Sequence, residues 1–460
     1  MKKQAQLERI VWKLKMAMRR DDALKEFGAN RHGYRMNAPL ELEKIAKFEA
    51  ESGIALPYEF SEFLQVVGNG GAGPYYGIAA LDPHGIAGPL KQKCLLSPNM
   101  TQEEWGSRIA FLDDLSIEPE ERSRLQNELY GGLLGIGSMG WTFEMMLVLN
   151  GPYRGRIVYV DRSYQIPFFT YEANFLEWYE RWLDEIIGGY DTGWFAMERA
   201  GDDVVLIDLY LTSLEEKVKV SAIQGMHKLP KLKEETLSFL FEQCVDASPA
   251  VRMAALEILA QKEYVQAFPF LEKALTSPLA EERLNAARQI EAYGEPGGGR
   301  LTSLLERSLP DEQDHRVLCQ SVRILEQGPV NPLTTLILFF THPDPDMRRE
   351  AIFHAGRLPG REAYAMQFGR ALDDADEVVR ETAVGALEGL PMPGLLSKYG
   401  RLIAEPSSGV KLRKAALRRL SEYGEQAYPY FERAACDSDV KIREEAERLL
   451  KQYRVELNKT

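Results

Sequence analysis

Along the second half of the chain, apolar side chains fall at four-residue steps on single helical faces. Val251, Ala255 and Leu259 make one such stripe, Val379, Ala383 and Leu387 another, and Leu412, Ala416 and Leu420 a third. Steps of four and eight stay on one side of a helix, so each stripe predicts a helix packed on its neighbours. A basic residue accompanies the pattern: Lys219, Arg252, Arg283, Arg316, Arg348, Arg380, Arg413 and Arg443, spaced 33, 31, 33, 32, 32, 33 and 30 apart. Three residues after each comes a small side chain, in turn Ala222, Ala255, Ala286, Cys319, Ala351, Ala383, Ala416 and Ala446. A fixed period of this size marks stacked units, each burying its apolar face against the next.

Each unit reads as a first helix (EETLSFLFEQCV, VQAFPFLEKAL), a turn and the arginine-bearing second helix. The turns SPAV, PDPDM, DDADEV and DSDV put Asp, Ser or Pro where an N-cap or first-turn proline belongs. The fourth unit departs: in DHRVLCQSVRIL, a register led by Val317 with Ser321 and Leu325 fits as well as one led by Arg316. DADEVVRETAVGAL and DSDVKIREEAERLL resemble HEAT repeats, in the short form common in bacteria, over residues 204–455 in about eight units. The arginines Arg252, Arg348, Arg380, Arg413 and Arg443 are expected to be structural, bonding turn carbonyls or an Asp of the adjacent turn such as Asp374 or Asp437. A basic stripe for an acidic partner is the competing reading.

The first half has a different pattern. Residues 1–35 read as a charged amphipathic leading helix and a linker, with no apolar core of a signal peptide. Helical patterns follow from Glu41 and after Pro57, and a polar helix near 117–130. Strand-like runs then occupy 141–150 and 156–161, and ANFLEWYERWLDEII closes the unit near 187. This predicts an α+β domain over 36–187, a linker at 188–203 and an all-α solenoid beyond.

The net charge of -13 divides evenly, with 28 acidic and 22 basic residues over 1–200 and 41 and 34 over the rest. Neither half is basic, which argues against nucleic-acid binding through a cationic groove. No apolar run is long enough to span a membrane. The four cysteines, Cys94, Cys244, Cys319 and Cys436, have no metal or redox spacing, and a reduced, cytoplasmic setting is expected.

Two segments match GxGxxG, at Gly68–Gly70–Gly73 and Gly135–Gly137–Gly140. Neither follows a strand and opens a helix, as pyrophosphate binding requires. His315 and Cys319 lie one turn apart, but with no third ligand in sequence reach an accidental pair is favoured. HExxH, GxSxG, P-loop and CxxC motifs are absent, and no catalytic residue, cofactor, metal or enzymatic activity is expected. Leu56–Pro57 and Asn69–Gly70–Gly71 are expected to set a helix start and a tight connection. Tyr75, Tyr76 and Trp141 adjoin the glycine loops and are candidate binding residues.

Glu49 and Gly53 before Leu56–Pro57, Phe63–Leu64, Asn69–Gly70–Gly71, the Gly137-to-Trp141 turn and the aromatic helix from Phe175 to Leu183 together resemble the SUKH superfamily, the Smi/Knr-type domain. That resemblance implies a helix-flanked, mainly antiparallel sheet and a non-enzymatic, protein-binding role. Many bacterial members resemble immunity proteins, so a toxin domain is the expected partner. The alternative is an adaptor whose solenoid holds a client in signalling or cell-envelope assembly. A third reading likens the array to HEAT-like lyase subunits that attach tetrapyrroles.

Overall fold

A computed structural model describes residues 2–81, 90–114, 116–294 and 299–457. Residues 82–89 and 115, and 295–298 ahead of the fourth helix pair, lie outside these residues. The chain divides into two compact units, 1–258 and 259–460.

The first unit opens with α1 (Lys2–Arg20), α2 (Ala29–His32), α3 (Leu42–Ser52) and α4 (Tyr58–Val66), followed by α5 (Gln102–Ile109) and α6 (Pro119–Leu129). A four-stranded antiparallel sheet follows in the order β1 (Leu133–Gly140), β2 (Phe143–Val148), β3 (Ile157–Asp161) and β4 (Phe168–Phe169), and then α7 (Phe175–Gly188). The sheet and its helices form the expected α+β arrangement, with two strands more than the apolar runs showed, β1 and the two-residue β4. β1 is LLGIGSMG, the second glycine motif itself, and glycine weakens the strand signal in a sequence. Its glycine has a packing reason: a Cβ on Gly137 would come 2.5 Å from the carbonyl oxygen of Gly77. Trp141, expected within a turn leading into a strand, sits in the β1–β2 hairpin turn at φ 53.

The core of this unit joins Phe60, Phe63, Phe175, Trp178 and Tyr179 to Ile157 and Tyr159. It also takes in the buried face of α1 (Leu7, Ile10, Leu14, Ala17) and residues Phe195 and Ala196. The sequence places these in a leading segment and a linker. Arg9 and Lys13 of α1 reach Glu180 of α7 at 3.0 and 2.8 Å. The hydroxyls of Tyr75 and Tyr159 both donate to the Phe195 carbonyl, at 3.2 and 3.1 Å. Behind them Arg181 is buried between Glu172 (2.6 Å) and Glu185 (2.8 Å), and Lys228 reaches Glu185 at 3.2 Å. The segment 188–203 is tied to chain on either side of it in sequence, since Arg181 donates to the Glu198 carbonyl and Asp191 donates its N–H to the Lys228 carbonyl (both 2.8 Å), and the compact unit runs on past it.

Eight helix pairs make up the rest of the described chain. In the first unit they are α8 (Asp203–Thr212) with α9 (Glu216–Gln224), and α10 (Glu234–Gln243) with α11 (Pro249–Lys262), within which the units divide. The second unit continues with α12 (Tyr264–Leu275) and α13 (Ala280–Tyr293), α14 (Arg300–Ser308) and α15 (His315–Glu326), and α16 (Leu333–Leu338) and α17 (Pro345–Ala355). It ends with α18 (Ala365–Ala371) and α19 (Glu377–Ala386), α20 (Pro393–Ala404) and α21 (Val410–Leu420), and α22 (Tyr428–Ala434) and α23 (Val440–Leu457). The second helices form one layer, α13 on α15, α15 on α17, α17 on α19, α19 on α21 and α21 on α23. N-caps hold their starts: Asp344, Asp376 and Asp439 accept from the backbone N–H groups of Asp346, Val379 and Lys441.

The stripes lie inside this layer. Val379, Ala383, Leu412, Ala416 and Leu420 are fully buried, and Leu387 is 1% exposed. In the fourth pair Val317, Ser321 and Leu325 are the buried set, and Arg316 is exposed. The stripe there starts two residues later than in its neighbours, at Val317 rather than at His315 ahead of Arg316.

Candidate interaction surfaces

The recurring arginine has a repeated geometry. Its Nη1 donates to two backbone carbonyls of the preceding turn, six and five residues back. Arg348 reaches His342 and Pro343 (2.8 and 3.0 Å), Arg380 reaches Asp374 and Ala375 (2.8 and 3.1 Å), and Arg443 reaches Asp437 and Ser438 (2.6 and 2.9 Å). Arg252 makes the same pair with Asp246 and Ala247 at 2.7 and 2.9 Å. These carbonyls lie beyond a helix end, where intrahelical donors are missing.

Some arginines add a second contact, to an acid of the next repeat. Arg348 grips Asp374 with Nε and Nη2 (both 2.8 Å), and Arg283 grips Glu312 at 2.9 and 2.7 Å. Arg413, buried, donates to the Ile403 carbonyl at 2.7 Å and pairs with Asp437. The Arg348 guanidinium is held above its usual range, first by its bonds to Asp374. Burial pushes the Asp437 carboxyl up, but the backbone N–H of Asp439 and Arg413 together hold it below the usual carboxylate range. Arg380 lacks such a partner: the position matching Asp374 and Asp437 is Ser407, and the Arg380 Nε is buried without a hydrogen bond. Arg316, displaced by the register slip, pairs with Asp314 and Glu281 instead (both 2.8 Å).

A groove of about 680 Å³ crosses α17, α19 and the start of α21. Phe353 and Val378 line it, 46% and 51% exposed, together with Thr382 and Lys411. Its charges are mostly engaged. Arg361 donates to the carbonyls of Gly356, Ala386 and Glu388 (2.8, 2.6 and 2.6 Å), and Lys411 meets Glu381 at 2.6 Å. Arg357 stacks over Phe353, 5.3 Å from the ring centre, and makes no ion pair among the described residues.

The residues singled out in the first half are spread between core and surface. Tyr75 lies in the core, its ring buried and its hydroxyl donating to the Phe195 carbonyl; burial raises that hydroxyl's pKa far above the ordinary tyrosine range. Tyr76 is partly exposed against Phe27 (5.2 Å between rings), with Arg31 over its face at 4.7 Å. Trp141 is fully exposed, and Trp194 is 62% exposed beside Phe143. Sequence reasoning missed Trp194 and Phe27 because a single exposed aromatic has no periodicity. Leu56 is buried and its N–H donates to Glu49 at 2.8 Å; Arg154 ties the Leu56 carbonyl, ahead of Pro57, to the β2–β3 hairpin at 2.7 Å. Asn69 accepts from the Leu81 N–H at 2.7 Å, Gly70 from the Asn37 N–H at 2.9 Å, and Gly71, at φ 112, bridges Met36 and Ile78.

The described histidines and cysteines are arranged differently from their spacing. Cys319 meets His354 of the next repeat rather than His315, with Sγ 3.4 Å from Nε2.

A family model for HEAT repeats matches residues 204–292. No curated protein matches the chain. Among solved structures, human deoxyhypusine hydroxylase is similar at 16% identity and TM-score 0.24, over 55% of this chain and 96% of that one. A phycocyanin lyase complex of CpcE and CpcF from Nostoc is similar at 17% identity and TM-score 0.28, over 51% and 94%. Kap95p bound to RanGDP is similar at 11% identity and TM-score 0.38, over 60% of this chain and 43% of that one. The chain is thus mostly helical, with HEAT-like repeats and a small N-terminal sheet, and no comparison carries the SUKH resemblance. The expectation of a chain without enzymatic activity is not carried forward: one of these similar chains is named as an enzyme, a likeness that shows nothing of this chain's own chemistry. No helix among the described residues is long and apolar enough to cross a membrane.

Proposed function

We propose that this protein is an adaptor that holds a protein partner in the groove over α17, α19 and α21. The observation that carries this reading is the pair of half-exposed apolar side chains, Phe353 and Val378, on one continuous repeat face. Stacked repeats build extended binding surfaces, and exposed apolar groups rimmed by polar ones mark contact sites. Since Arg361 and Lys411 are engaged internally, Arg357 is the cation left for a ligand. The partner segment therefore brings an apolar anchor for Phe353 and Val378 and a carboxylate for Arg357.

The recurring arginines other than Arg316 serve as struts, most closing their own turn and several reaching an acid of the next repeat. The N-terminal α+β module, in the SUKH-like reading, supplies a second docking surface around the exposed Trp141 and Trp194. Neutralisation of a toxin gains no support from the groove or from the comparisons.

A photo-crosslinking side chain placed at Phe353, in cells of the native organism, is expected to trap one defined protein partner. No adduct at position 353, with adducts only at Trp141, would move the client site off the repeats.

A further inference from the structure

In seven of the eight second helices the residue three after the basic position is an alanine with no exposure: Ala222, Ala255, Ala286, Ala351, Ala383, Ala416 and Ala446. In the fourth it is Cys319, which is half-buried. The difference follows from the register slip. Two residues are about 200° of helix rotation, so burying Val317, Ser321 and Leu325 turns Cys319 out of the core, and its sulfur meets His354 of α17.

On α17, Glu350 and His354 are four residues apart and share a face. The candidate ligand atoms of Cys319, Glu350 and His354 all lie within 4.8 Å of one another. His354 is buried; its Nε2 faces the Cys319 sulfur at 3.4 Å and its Nδ1 lies 3.3 Å from Oε1 of Glu326. The tautomer that donates from Nδ1 to Glu326 leaves the Nε2 lone pair directed at the space beside the sulfur. Arg349 donates to Oε1 of Glu350 at 3.2 and 2.9 Å, which fixes that carboxylate.

We propose that Cys319, Glu350 and His354 bind one divalent cation of the zinc class, with Glu326 orienting the imidazole. The sulfur–nitrogen edge of a tetrahedral zinc site is about 3.6 Å for zinc–sulfur and zinc–nitrogen bonds of about 2.3 and 2.05 Å; the observed 3.4 Å needs little movement. A carboxylate on the far nitrogen of a histidine ligand is the usual outer support of such sites. Mixed sulfur, nitrogen and oxygen donors select zinc-class ions over magnesium or calcium. Three protein ligands leave a fourth position for water. On binding, the thiol proton leaves to solvent and a sulfur–metal bond replaces the sulfur–hydrogen bond, one proton per cation.

The competing account is a metal-free hydrogen bond from the Cys319 thiol to His354. Full-length protein, stripped of metal with a chelator and titrated with Co²⁺, separates the two. Saturation at one Co²⁺ per chain is expected, with tetrahedral visible bands and a thiolate-to-cobalt charge-transfer band, all displaced by Zn²⁺. Cys319→Ser abolishes the charge-transfer band and weakens binding at least about tenfold, while Glu326→Gln keeps the band and weakens binding about 10–100-fold. Cys436→Ser, at an exposed thiol, changes neither. As a readout in the unmodified chain, Zn²⁺ slows alkylation of Cys319 by iodoacetamide. Unsaturable binding, saturation without the charge-transfer band, unchanged binding in Cys319→Ser or unprotected Cys319 would each overturn the site.

Discussion

Arg348 and Arg380 occupy the same position in adjacent repeats yet differ by one contact, and their truncations isolate what that contact contributes. Each donates to two turn carbonyls at 2.8–3.1 Å. Arg348 also grips Asp374 twice at 2.8 Å, with side chains 13% and 10% exposed, whereas Arg380 comes no closer than 3.8 Å to Glu377. Losing the carbonyl bonds costs about 1–2 kcal/mol in either helix. Breaking a mostly buried pair by removing one partner costs up to about 3–5 kcal/mol, and the residual solvent contact here lowers that to about 2. Arg348→Ala is therefore expected to cost about 3–4 kcal/mol and Arg380→Ala about 1–2. In thermal unfolding the transition of the repeats shifts by about 2–4 °C per kcal/mol, so Arg348→Ala melts well below Arg380→Ala. Asp374→Asn reproduces most of the excess and is non-additive with Arg348→Ala. Equal shifts for the two arginine variants, or an Arg348→Ala protein that melts normally but loses its partner, would refute the strut reading.

Other outcomes follow from the same geometry. Ser407→Asp places a carboxylate where Asp374 and Asp437 stand in their repeats and satisfies the buried Arg380 Nε, so it raises the melting temperature, and Arg380→Ala abolishes the gain; repulsion from Glu405 and Glu377 limits it to about 1 kcal/mol. Hydrogen bonds from Arg448, opposed by burial and joined by Arg418, hold the Glu445 carboxyl down to about 2. A carboxyl with a lowered folded-state pKa stabilises above its unfolded range and loses that contribution as the pH falls through about 4 to 2, so Glu445→Gln flattens the acid limb of a melting-temperature profile. Gly137→Ala forces β1 away from the Gly77 carbonyl and destabilises the first unit without altering the melting of the second, read by domain-resolved hydrogen exchange.

Periodicity made the repeats legible, because an apolar stripe and a turn recurring at fixed spacing have few other physical meanings. The arginine's dual contact was half visible: Asp374 and Asp437 stand out in the turns, but carbonyl acceptors leave no mark in a sequence. The fourth repeat shows the opposite case. Its ambiguous register could be read from Val317, Ser321 and Leu325, yet the consequence for Cys319 depends on a histidine one repeat away. His354 and Glu350 come into reach only through stacking, so a search for ligands near in sequence stopped at His315. In the first half, glycines hid a strand, and the segment 188–203 resembled a linker because its glycines and acids outweigh its few anchoring side chains, Phe195 and Ala196 among them. The groove was invisible for the same reason as Trp194: exposed apolar residues on separate helices share no spacing.

Affinity capture from the native organism with Phe353→Asp and Trp141→Ala versions of the full chain tests the central claim most directly. The account predicts that one protein partner is retained by Trp141→Ala and lost by Phe353→Asp, with both variants melting as the unmodified chain does. Retention by Phe353→Asp with loss in Trp141→Ala would contradict it and place the client on the N-terminal module.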